Sequence, residues 1–151
     1  MVTDAFGTLL QEISAELKID KMAAGEKNSC IVHYPDDLKL QIEADPTQTD
    51  LLLIIEIGSL PNGRYREVYF KEALKANGLF PSPVGIFAYS HKADKLILYE
   101  KMTLKGLSGN RVVEVLTPLL EKARQWIEWF KRGDFPVAKQ NASSSGIFGL
   151  H

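Results

Sequence analysis

Cysteine is nearly absent: Cys30 is the only one in 151 residues. An internal disulfide is therefore excluded, which fits a reducing compartment. Flanked by Ile31 and Val32, the thiol reads as a small buried hydrophobe. Histidine is scarce as well, limited to His33, His91 and His151, and none has a ligand partner at i+3, i+4 or in a cysteine pair. No metal site is expected. Charge of one sign is lacking too: 18 Lys and Arg stand against 19 Asp and Glu, a formal net charge of -1. That balance predicts no electrostatic attraction to nucleic acid or to an anionic membrane. No apolar run approaches the roughly 20 residues of a membrane span. Asp4, Gly7, Thr8, Gln11 and Glu12 interrupt the N-terminus, so it does not read as a signal peptide. The expectation is a soluble, cytoplasmic protein without membrane insertion.

A chain of this length is sized for one domain, burying about 68–70% of its unfolded surface. Phe6, Leu9, Leu10, Ile13 and Leu17 fall at helical spacing, which predicts an amphipathic helix over 4–20. "SCIVHY" at 29–34 and "LKLQIEAD" at 38–45 read as a hairpin around Pro35-Asp36-Asp37. "LLLIIEI" at 51–57 is apolar on both faces, as in a central strand. A second helix follows over 64–75, stopped by Asn77-Gly78, then strands at 84–90 and 95–102 joined by "HKAD". A long helix at 109–132 has Ser108 as its N-cap, and Pro118 predicts either a kink or a restart with Thr117 as cap. From Gly133 onward the chain is rich in Ser, Gly and Ala and has no period, so a flexible tail is expected over 134–151, with Ile147-Phe148 as a candidate docking motif. The order α-β-β-β-α-β-β-α predicts an α+β domain over 1–133, with three helices and an antiparallel sheet of five strands.

Chemistry is hard to place on this pattern. Gly58-Ser59-Leu60-Pro61-Asn62-Gly63 copies the first half of a phosphate loop, but Arg64 stands where the lysine belongs and Tyr65 replaces the Mg²⁺-binding hydroxyl. Pro61 also removes an N–H from such a cradle. Cys30 and His33 lie on opposite faces of one strand, so they cannot share a proton directly. Asp36-Asp37 reads as turn chemistry, and Trp126 and Trp129 as packing residues without the basic interleaving of a nucleic-acid binder. No catalytic residue, metal or cofactor is assigned.

Three segments carry a resemblance: "LLLIIEIGSLP", "YFKEALKANG" and "LILYEKMTLKGLSGNRVVEVLTPLLEKARQWIEWF". In order and spacing the chain resembles the class I chaperones of type III secretion, the Tir-chaperone (CesT-like) family, over nearly all of 1–133. Among relatives it is most similar to the SycE-like chaperones of chlamydiae. The tail and Pro118 depart from the family pattern. The resemblance implies a cytoplasmic dimer that uses no ATP and holds the N-terminal segment of a secreted effector in extended form. By analogy, Val68, Tyr69, Glu72, Leu74, Phe87 and Tyr89 form the dimer interface. Phe6, Leu10, Ile13, Leu17, Ile31, Val32 and Leu40 form the effector groove. Two alternatives remain: a heterodimer with a related chaperone, or a small nucleotide- or ligand-binding enzyme using the Gly58 to Gly63 turn.

Overall fold

The computed structural model describes residues 5–18, 28–79 and 84–133. Along the chain lie α1 (Ala5–Leu17), β1 (Ser29–His33), β2 (Lys39–Ala44), β3 (Asp50–Ser59), α2 (Arg64–Asn77), β4 (Ile86–Ser90), β5 (Lys95–Thr103) and α3 (Gly109–Arg132). The expected order of elements is present. The tail at 134–151, with Ile147-Phe148, lies outside the described residues.

All five strands join one sheet in the order β1-β2-β3-β5-β4, and every pairing is antiparallel. The fold is an α+β sheet with α1 and α3 packed on one face. Strand alternation divides the side chains cleanly. Leu40, Ile42, Leu51, Leu53, Ile55, Leu96 and Leu98 point to one face and are almost fully enclosed. They meet Phe6, Leu10 and Ile13 of α1 and Val112, Leu116, Leu119 and Ala123 of α3 in a single core.

α1 and α3 touch closely where α3 begins. The Gly109 N–H donates to Glu12 Oε1 at 2.8 Å, satisfying one of the donors a helix start leaves open. A Cβ at Gly109 would stand 2.6 Å from the Glu12 Cβ, so only glycine permits this approach. Ser108 caps the same end as expected, its Oγ accepting from the Arg111 N–H at 3.2 Å.

Of the two expected outcomes at Pro118, the restart does not occur, because α3 runs unbroken from Gly109 to Arg132 with Pro118 inside it. Thr117 is not a cap. Its Oγ1 donates to the Val113 carbonyl one turn back at 3.0 Å, and Pro118 faces solvent rather than the packed stripe. The helix ends at Gly133, whose left-handed φ of 71° lets its N–H return to the Phe130 and Trp129 carbonyls.

Candidate functional surface

Surface chemistry in this chain is dominated by apolar groups in two places. Among the described residues, six large hydrophobics are exposed, and Tyr65, Leu74, Leu79, Ile86 and Tyr89 belong to α2, its exit or β4. Only Ile31 lies elsewhere. Exposed apolar side chains concentrated on neighbouring elements are the usual mark of an interaction surface, whereas singly scattered ones are not.

The second place is the sheet face turned away from the helices. One register row crosses it as Ile31, Gln41, Ile54, Tyr99 and Ile86. Leu52 and Ile97 flank that row from the neighbouring registers, and both are only half-buried. β3 is apolar on both faces for this reason: Leu51, Leu53, Ile55 and Ile57 build the core, and Leu52 and Ile54 lie on this second face.

The two sheet edges differ. Among the described residues, β1 has a strand on one side only. The β4 edge is closed at its centre by α2, because the Asn77 side chain donates to the Phe87 carbonyl at 2.9 Å and accepts from the Phe87 N–H at 2.8 Å. This amide imitates a neighbouring strand, and it protects an edge otherwise open to unwanted pairing.

Charged groups fasten α2 and β4 to their surroundings. Arg66 reaches Asp94 at 2.6 Å, and the Tyr89 hydroxyl donates to the same carboxylate at 2.8 Å. The Arg66 hydrogen bond, followed by that from Tyr89, holds the Asp94 carboxyl below its usual range. Tyr89 is raised in turn, first by its bond to Asp94. Behind β4, Lys122 donates to the Val84 carbonyl at 3.1 Å and lies 5.0 Å from the centre of the Phe87 ring. Burial lowers its pKa, with Glu100 opposing that shift. Glu72 is buried in α2, bonded through Oε2 to Lys75 at 3.4 Å, while Oε1 has no hydrogen-bond partner among the described residues.

The phosphate-loop look-alike has a packing explanation. Gly58 is a strand residue paired with Leu96 across a register irregularity, not part of a cradle. Gly63 precedes α2 without a side-chain cap. Between them, Ser59, Pro61, Tyr65, Tyr69, Phe130 and Gly133 line a cleft of about 430 Å³. Tyr69 and Phe130 stack along its wall with ring centres 4.1 Å apart.

Most residues assigned to the effector groove are core. Phe6, Leu10, Ile13 and Leu40 are wholly buried and Val32 nearly so. Their helical and alternating spacing is what any core face shows, so periodicity could not separate the two roles. Of that set only Ile31 is exposed, at 49%, with Leu17 partly buried. The interface set divides similarly: Leu74, at 70%, and Tyr89 are exposed, Val68 is intermediate, and Tyr69, Glu72 and Phe87 are buried. Tyr65, Leu79 and Ile86 are exposed large hydrophobics outside both sets. They were readable only as large apolar residues outside the helical stripe or at a strand end.

Cys30 is buried and His33 exposed on β1, consistent with opposite faces. Asp36 accepts from Arg124 of α3 at 2.9 Å, and Asp37 takes a left-handed φ of 62° in the expected turn. Trp126 packs against Phe87 with ring centres 4.1 Å apart and against Trp129 at 5.5 Å. Among the described residues no group of three or more His, Cys, Asp or Glu could hold a metal ion. None of their helices is long and apolar enough to cross a membrane.

The described residues form an α+β domain with exposed apolar side chains on α2 and β4, an apolar row across the outer sheet face, and a β4 edge shielded by Asn77. Residues 8–127 match the Tir chaperone protein (CesT) family, and the chain belongs to that family. No curated protein matches it. Among solved structures, it is similar to the type III secretion chaperone SycH of Yersinia pestis in complex with a stable fragment of YscM2. Identity is 20% and the TM-score 0.63, over 80% of this chain and 98% of that one. A chain of the HopA1-SchA chaperone-effector complex gives 20% identity and a TM-score of 0.67, over 84% and 99%. One from the ExoT-SpcS complex of Pseudomonas aeruginosa gives 12% and 0.62, over 82% and 98%.

Proposed function

We propose that the chain is a cytoplasmic type III secretion chaperone, not an enzyme, which binds the N-terminal segment of a secreted effector in extended form. It does so without ATP or a cofactor. The observation that carries this reading is the row of Ile31, Ile54, Tyr99 and Ile86 across the outer face of the sheet, beginning at β1, which is an edge strand of the sheet among the described residues. An extended segment can add its backbone to that edge and seat alternate side chains on Ile31 and its row. Asn77 supports the choice of β1, since it occupies the backbone groups of Phe87 on the other edge. Ordering an unfolded segment costs free energy, so a wide apolar surface is required.

A homodimer through α2 and β4 is part of the same reading. The exposure of Leu74, Leu79 and Tyr89 on α2, its exit and β4 supports it.

The test is co-expression with N-terminal fragments of secreted proteins, followed by light scattering of the purified complex. A dimer near twice 16.9 kDa carrying a fragment is expected. Ile31→Asp should abolish capture and leave the melting temperature unchanged. Capture of no fragment by the folded wild-type chain would overturn the reading.

A further inference from the structure

The outer face of the sheet carries charge beside its apolar row, and most of that charge is matched within the chain. Glu56 pairs with Lys95 at 3.0 Å, Lys101 lies 4.0 Å from Asp50, and Glu43 accepts from the Gln41 side chain at 2.9 Å. His33 of β1 and Lys39 of β2 are different. They are direct partners in the register, and His33 shares the outward side of Ile31, two residues before it. His33 is exposed and Lys39 half-buried. Among the described residues no ion pair engages either side chain. Glu56, which follows the Leu40–Ile55 pair on β3, turns to Lys95 instead. An ammonium and an imidazole thus stand side by side where the apolar row begins.

We propose that His33 and Lys39 select a secreted segment carrying an aspartate or glutamate two positions from an apolar residue. The inference rests on the effector reading above and adds the chemistry of the segment. With the apolar side chain on Ile31, the carboxylate accepts from the Lys39 ammonium and from a ring N–H of His33. The spacing agrees, because alternate residues of β1 and of an extended segment beside it share one face and both advance about 7 Å. A basic residue at that place would instead meet Lys39, and like charges facing each other across strands are unfavourable. A nucleic-acid backbone fits less well, since the same face carries Glu43, Asp50 and Glu56 and a phosphate-tracking surface needs many cations. Exposed ion pairs are weak, so the pair sets which segments bind, while the apolar row supplies most of the contact.

The test uses the fragment captured by co-expression, with each of its Asp and Glu residues changed to Lys in turn. At one acid, two positions from an apolar residue, the change should weaken binding about fivefold, the upper end for an exposed pair. Lys39→Glu should restore that altered fragment and weaken the original one. Lys39→Gln should weaken the original without favouring the altered one, and both variants should keep the wild-type melting temperature. If no acid responds to Lys39→Glu in this reciprocal way while Ile31→Asp still abolishes capture, the selection is overturned and the effector reading stands. A folded wild type that captures no fragment overturns both. A Lys39→Glu protein whose mass in light scattering falls without any fragment would place a second copy's carboxylate on the pair, and that also overturns the selection.

Discussion

Phe130 Cδ1 lies 2.9 Å from where a Cβ on Gly58 would stand. The ring cannot retreat freely, because its other side meets Tyr69 at 4.1 Å between centres. Gly58 is thus glycine because α3 ends against the backbone of β3. Gly58→Ala should lower unfolding stability by about 1–3 kcal/mol, the usual cost of forcing extra carbon into a packed contact. Denaturant titration measures it. Phe130→Ala in the same background should remove the clash and give a double-mutant coupling of opposite sign; additive losses would show that Gly58 serves something other than this approach.

Asn77 supplies two hydrogen bonds to the Phe87 backbone at the rim of the sheet. Asn77→Leu should leave that N–H and carbonyl unpaired at a cost of about 1–3 kcal/mol. Amide exchange at Phe87 should accelerate by more than the global loss explains. The exposed edge should also promote association at high concentration. Unchanged exchange at Phe87 would mean that α2 shields the strand without this amide.

The proposed dimer surface is best probed where the side chain touches no core. Leu74 is 70% exposed whereas Tyr69 is buried against Phe130. Leu74→Asp should reduce the mass in light scattering from twice 16.9 kDa to one chain and leave the thermal midpoint of the monomer nearly intact. Tyr69→Asp should unfold the chain instead, since it buries a charge without a partner. A Leu74→Asp protein that stays dimeric would move the interface off α2.

The eight elements were legible because period and punctuation agreed along the chain: alternation in β2, the Ser108 cap of α3 and the Asn77-Gly78 stop of α2 each pointed one way. The continuity of α3 through Pro118 was not, because the break a proline favours is outweighed by the stripe of Val112, Leu116, Leu119 and Ala123, all nearly fully buried. The functional surface was harder to read. Leu40 and Ile31 are both apolar strand residues, yet one is wholly enclosed and the other half exposed. Only the register of β1 on β2, and the side on which α1 and α3 land, separates them. Asn77 shows the same limit: the sequence marked it as a helix stop, and its grip on Phe87 depends on a neighbour ten positions away.

Acid sensitivity should trace to Asp94 and its two partners. Asp94 is held below the ordinary aspartate value of 3.8 first by its bond to Arg66, and Asp36 is lowered first by its bond to Arg124. In both, the folded state prefers the ionised carboxylate more than the unfolded chain does. Their contribution is therefore fully present above the unfolded pKa and is lost as pH falls through the lower folded value. Both sites are exposed, so salt should weaken the effect. Urea midpoints taken from neutral pH down to about pH 2 should fall below pH 4 for the wild type, within the range where aspartates titrate. Asp94→Asn should begin lower at neutral pH and fall less steeply, because its amide cannot gain a proton there. Parallel acid limbs for the two proteins would show that the Arg66–Asp94–Tyr89 cluster adds no stability and that acid acts elsewhere.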